Sequence, residues 1–192
     1  MAAGPRDFIT LATLKSWIPV AGTGDDGVLQ TLITNMSAWL EQWLSRSIFI
    51  GQQTEVRDGT GTTTMMVSDW PITAVTSVTI DGTAIPLSTD PSVSGYYFTE
   101  TLIGLRGYRF TNDQANVVLV YSSGYAALTH PEQVPAELAQ ACLEICALRY
   151  KERPFIGINS KSLAGESVSY SQQAMPKSTL ELLENYKRRI PL

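Results

Sequence analysis

The sequence predicts an α+β fold: a small bundle of about three helices carrying a large antiparallel β insertion, with an extended C-terminal arm that ends in a short helix. Three patterns predict it. Apolar residues recur every three or four positions over residues 25–45, and residues 135–151 read as a helix apolar nearly all round. Between them, residues 52–125 change to a period of two and to Thr, Val, Ile, Tyr and Gly. Beyond Arg153 the chain turns polar, without a core pattern until one last short helical repeat.

Thr10 can cap a first helix over residues 11–17, in which Leu11, Leu14, Trp17 and Ile18 are spaced along one face and Pro19 stops the helix. Gly22 to Gly24 connects it to a longer helix. Asp25 and Asp26 provide the acidic start of that helix, and Leu29, Leu32, Ile33, Met36, Trp39, Leu40, Trp43 and Leu44 repeat along it. Trp39 and Trp43, four apart on that apolar face, read as packing residues rather than a stacking platform for a ligand. The β region divides into strands at residues 53–57, 62–68, 75–80, 83–87, 95–99, 108–111 and 117–121. Asp81-Gly82 is a two-residue hairpin turn, Asp58-Gly59 a looser one and Asn112-Asp113 a further turn. A β segment of about seventy residues set between helices, left near where it began, reads as an insertion on a helical frame.

Pro135 starts a third helix that is apolar nearly all round: its clearly polar positions are Glu137, Gln140, Glu144, Arg149 and Lys151. Such a helix is either central in its own domain or buried against another subunit. Cys142 and Cys146, four residues apart inside it, read as thiols filling the core. Pro154 ends it and Gly157 loosens the chain after it. The last helix, residues 179–188, places Leu180, Leu183 and Tyr186 on one face, with Arg188 and Arg189 at its end. A helix of about ten residues is marginal alone in water, so it needs a surface to pack on. The expected organisation is therefore residues 1–50 as the helical N-terminal part, 51–130 as the β insertion, 131–153 as the central helix completing the bundle and 154–192 as the arm.

The composition, 192 residues with 44% hydrophobic and 17% charged, fits one soluble domain with a sizeable insertion. No run approaches the roughly 20 apolar residues of a membrane span, and Pro5, Arg6 and Asp7 stand where a signal peptide would be apolar, so a cytoplasmic chain is expected. Residues 1–150 hold 7 Lys/Arg and 14 Asp/Glu, a net of −7; residues 151–192 hold 7 and 4, a net of +3. An acidic body is a poor binder of duplex nucleic acid, whose affinity comes from cations on phosphate. The basic tail suits an acidic protein surface instead.

Catalytic patterns are missing. His130, the single histidine, precedes Pro131 in a loop and has neither a nucleophile-elbow sequence nor metal-ligand spacing around it. Asp25/Asp26 read as a helix start and Glu181/Glu184 as a solvated face. Gly59-Thr60-Gly61 joins two strands with no lysine following, unlike a phosphate loop. No catalytic, cofactor or metal residue is assigned and no enzyme activity is expected.

In their order, the parts resemble the head-to-tail connector, or adaptor, proteins of tailed bacteriophages. The resemblance rests on a short helix followed by one with an acidic start; the turn, strand and hairpin of Trp70-Pro71-Ile72 through Asp81-Gly82; and Tyr121-Ser122-Ser123-Gly124-Tyr125 closing a strand. It continues with a helix begun by Val134-Pro135 and finished by Tyr150 and Arg153, and with Ser162-Leu163-Ala164-Gly165 before Ser167-Val168-Ser169-Tyr170. The β region is larger than in many such adaptors. The resemblance implies a structural virion protein of the neck, assembled in host cytoplasm as a ring of typically twelve copies under the portal, through which genomic DNA passes without sequence-specific binding. A neck, stopper or tail-terminator protein would attach below. It also implies a portal-binding arm, for which Val168, Tyr170, Leu180, Leu183, Tyr186, Lys187, Arg188 and Arg189 are the candidates. Leu143, Ala147 and Tyr150 are candidates for ring contacts. Two other readings are a tail-completion or baseplate protein, and a glycan-binding β module using Trp70, Tyr96, Tyr97 and Tyr108; exposed coplanar aromatics would favour the latter.

Overall fold

The computed structural model describes residues 4, 6–127, 133–155, 160–163, 166–169, 175 and 177–187, and within them the chain has the predicted α+β fold. It divides into two compact units, one built from residues 1–44 and 134–187 and the other mainly from residues 45–133.

In the helical unit, Thr10 caps α1 (Leu11–Trp17) by accepting the Thr13 amide at 3.1 Å on its hydroxyl. α2 (Asp26–Leu44) and α3 (Ala136–Glu152) pack together, and α1 and α4 (Lys177–Glu184) each pack on α3. Leu14, Leu29, Ile33, Leu40, Leu138 and Ile145 are buried, each contributing about 1.5–3 kcal/mol on leaving water, with the small Ala141 among them. The all-round apolar character of α3 is thus met by three helices of its own unit. Cys142 and Cys146 are buried free thiols. A side-chain hydrogen bond with Cys142 and then burial push the Cys146 thiol far above its ordinary range, which keeps it protonated and inert. Trp39 and Trp43 are half-buried at the rim of the core rather than inside it, and Trp17 is 55% exposed.

In the β unit, a four-stranded antiparallel sheet runs in the order β1 (Gly51–Arg57), β7 (Val117–Ser123), β3 (Ile72–Ile80), β4 (Thr83–Ile85). A three-stranded sheet has the order β2 (Thr64–Met66), β6 (Leu102–Arg106), β5 (Gly95–Phe98). Along β7 the burial alternates, and its inward Val117, Leu119 and Tyr121 join Val78, Ile103, Leu105 and Phe110 in one core. Asp81 and Gly82 both have positive φ, 50° and 75°, the signature of the twisted two-residue turn that joins β3 to β4.

One strand is displaced from expectation. Residues 108–111 form no strand, because Gly107 turns the chain at φ 73° and Phe110 is carried into the core on a loop held to Thr62 by its amide. The strand lies earlier, at β6, where Gly104 conceals it: a Cβ there would overlap the Tyr97 ring on the neighbouring strand. A third ladder, β8 (Ser160–Leu163) with β9 (Glu166–Ser169), is a two-stranded hairpin.

Candidate functional site

The polar stripe of α3 is where the last helix sits. Glu144 takes the Thr179 hydroxyl at 2.7 Å on Oε2 and the Gln140 amide at 2.8 Å on Oε1, and Glu137 takes the Tyr186 hydroxyl at 2.8 Å. Lys187 lies over the Trp43 ring of α2, its Nζ 4.8 Å from the ring centroid. Thr179 and Leu183 are fully covered and Met175 nearly so. The terminal helix is therefore a second foot: the chain leaves α3 through a 3-10 turn at Arg153–Phe155 and is fixed to α3 again through α4. Glu137 is held below the usual glutamate range by its own backbone amide and then by Tyr186.

At its other end α3 meets the start of α2. The Tyr150 hydroxyl donates to Asp25 Oδ2 at 2.7 Å, Arg153 lies 3.8 Å from the other Asp25 oxygen, and Asp26 pairs with Lys15 at 2.6 Å. The bond to Asp25, then desolvation, raises the Tyr150 pKa. Tyr150 lines two surface grooves of about 490 and 520 Å³. The first is floored by Val28, Leu32 and Met36, the second by Ile18, Pro19 and Val20, and Arg153 lines both. The acids read as a helix start thus also tie α3 and α1 to α2.

The predicted residues fall into three groups. Leu183 is used inside the unit; Leu180 and Tyr186 are half-covered and Lys187 is exposed. Leu143 and Ala147 are buried, leaving little surface for a neighbour, whereas Tyr150 borders the grooves. Val168 lies on β9, while Tyr170, Arg188 and Arg189, with His130, are outside the described residues. Of the four aromatics of the glycan reading, Tyr108 is 39% exposed and the other three are engaged within the protein. Tyr96 is in the core with its hydroxyl on the Val75 carbonyl at 3.3 Å, Tyr97 lies under Arg106, and Trp70 lies beneath the Arg46 guanidinium at 4.2 Å. Among the described residues no group of three or more His, Cys, Asp or Glu side chains is placed to hold a metal, and no helix is long and apolar enough to cross a membrane.

The sequence profile of the head completion protein family matches residues 7–189. The chain belongs to that family. Among solved structures it is similar to a chain in the neck of an empty gene transfer agent (GTA) particle computed with C6 symmetry: TM-score 0.58, 15% identity, covering 100% of this chain and 95% of that one. A chain of the native GTA virion gives 0.57, 16%, 100% and 95%, and one in the neck of the native GTA particle computed with C12 symmetry gives 0.57, 15%, 100% and 94%. At these identities the likeness is one of fold. Among curated proteins none matches significantly.

In this head completion protein the Tyr-x-x-Gly-Tyr sequence has a structural task. Buried Tyr121 donates its hydroxyl to Glu55, and burial followed by that carboxylate drives its pKa far upward. Gly124, at φ 137°, lets the outbound chain cross the inbound one, since a Cβ would stand 2.6 Å from the Ile50 nitrogen. The Tyr125 amide bonds the Ile48 carbonyl at 2.8 Å, and the Ile50 amide bonds Ala126 at 2.8 Å. The β unit's inbound and outbound chains are thereby fastened side by side. Sequence reasoning missed one inner polar set. Asp7 is buried with Oδ2 on the Gln30 amide at 2.6 Å, and Ser37 receives the Phe8 amide at 2.9 Å. The available signal was Gln30 and Ser37 at positions where the helical period faces inward.

Proposed function

We propose that this protein is a structural subunit of the virion neck, a head-to-tail connector adaptor that docks under the portal as a ring, extends the DNA channel and gives the next neck or tail protein its attachment surface. The observation that carries the reading is whole-chain similarity: one family profile spans residues 7–189, and the fold likeness to GTA neck chains covers the entire sequence. Those neck structures were computed with C6 and C12 symmetry, which supports a closed ring, and twelve copies joined head to tail is the number proposed. Net charge of −4 per subunit supports passage of DNA without adhesion.

Within this reading the portal grip lies in residues 155–192, with Val168 and Tyr170 on the hairpin side and Leu180, Tyr186, Lys187, Arg188 and Arg189 beyond. Leu183 serves by holding the second foot. Tyr150 and its two grooves are the ring contact, which Leu143 and Ala147 support from beneath. The role is mechanical and needs no cofactor. A tail-completion or baseplate role is the second reading, and the hairpin between two fixed feet favours the adaptor.

The test is to mix the purified chain with its cognate portal and weigh the complexes, using the native chain and one whose residues 160–169 are replaced by a Gly/Ser linker of equal length. A twelve-copy complex with the native chain, and its loss with the linker, is expected. Equal binding by both refutes the portal assignment.

A further inference from the structure

The two edges of the four-stranded sheet are built differently. β4 has three residues and is followed at once by Pro86, which cannot donate to a further strand. At the other edge, β1 runs for seven residues paired only with β7, and among the described residues no backbone bond reaches its outer side. The usual charged guards are missing. Gln52, Thr54 and Val56 are the exposed side chains, Val56 at 57%. Glu55 and Arg57 turn inward and pair at 3.2 Å, and Glu55 also accepts the Ser68 amide at 2.9 Å. With those charges already satisfied, covering this edge costs little desolvation.

A complementary element exists in the same chain. β8–β9 is a hairpin of two four-residue strands with no third strand among the described residues, and such a pair is marginal in water by itself. We infer that, in the ring, the outer edge of β8 of one copy adds to the β1 edge of the next copy, making a continued antiparallel or parallel ladder from subunit to subunit. The inference rests on the ring reading above and names the strands that close it. Symmetry selects the pair. Joining β1 to β1 is self-complementary and yields a two-fold dimer, whereas a head-to-tail ring needs two different strands. Charge agrees with it: β8 carries Lys161 and no acid, while residues 45–133 hold 4 Lys/Arg against 8 Asp/Glu, a net of −4. β9, with Val168, is left free for the portal.

Hydrogen exchange on the full chain, free and in its portal-bound ring, tests this. Residues 51–57 and 160–163 should both slow by at least about tenfold on assembly, with alternate amides affected in each. The T54K/V56K variant, which places lysines on an exposed edge, should lose the slowing in both segments together, while Val56→Thr should keep it. Slowing of 160–163 that survives T54K/V56K, or slowing already complete in the free chain, overturns the inference. A ring that forms with β1 exchange unchanged overturns it and leaves the ring reading standing. Failure of the native chain to form any ring with the portal overturns both.

Discussion

The β unit and the helical unit each fasten a returning segment of chain, and they do it by opposite means. Where the β unit closes, the inbound residues Ile48 and Ile50 and the outbound Tyr125 and Ala126 exchange backbone bonds at 2.8 Å, over a glycine that admits no side chain. Where the helical unit closes, α4 is seated through side chains: Thr179 on Glu144, Tyr186 on Glu137 and Lys187 over Trp43, around the single covered leucine Leu183. A backbone seam has no partial state short of unfolding the sheet. A side-chain seat can open helix by helix, so the segment ahead of α4 can be released while the bundle persists.

Substitutions separate the two fastenings. Gly124→Ala should have the largest effect, about 4 kcal/mol or more, because the new Cβ meets backbone at a φ that L residues rarely adopt. Urea unfolding followed by segment-resolved exchange should show the whole β unit lost together; loss confined to residues 121–126 would break the contrast. Leu183→Ala should cost about 3 kcal/mol, by removing a buried leucine. Protease sensitivity between Phe155 and Met175 should rise while α2 and α3 keep their exchange protection, and bundle-wide unfolding would show that α4 is no separate seat. Tyr121→Phe should cost about 2 kcal/mol, since the hydroxyl that serves the Glu55 carboxylate is removed. A matching fall in the urea midpoint checks it.

The smallest effect is a pH dependence of the α4 seat. Glu137 titrates below the ordinary value of 4.5, so its contribution is present above that value and is lost as pH falls through the lower, folded one. Exchange in α4 should quicken over that acid window, and Tyr186→Phe should flatten the response. An unchanged slope in Tyr186→Phe would remove the bond to Tyr186 from the account.

What the sequence disclosed was local chemistry. The Thr10 cap, the repeat along α2 and the Asp81-Gly82 turn depend on neighbours within a few residues, and each is where the pattern places it. β6 was hidden because the reason for Gly104 is the Tyr97 ring on another strand, and the 108–111 strand was misplaced because Phe110 is buried from a loop. The seat of α4 was half legible. The stripe of Glu137, Gln140 and Glu144 was visible, but the helix that covers it lies more than thirty residues on. Gln30 and Ser37 were invisible as partners, since Asp7 and Phe8 are joined to them only by folding.

The second foot on α3 also changes how load would travel. A strand gripped near its free terminus peels from the end, one bond at a time. With the hairpin gripped as proposed, tension on β8 and β9 would divide between two legs, one ending at Arg153 and the other at the covered Leu183. In the proposed grip, the second of these legs is the one held by Thr179 and Tyr186.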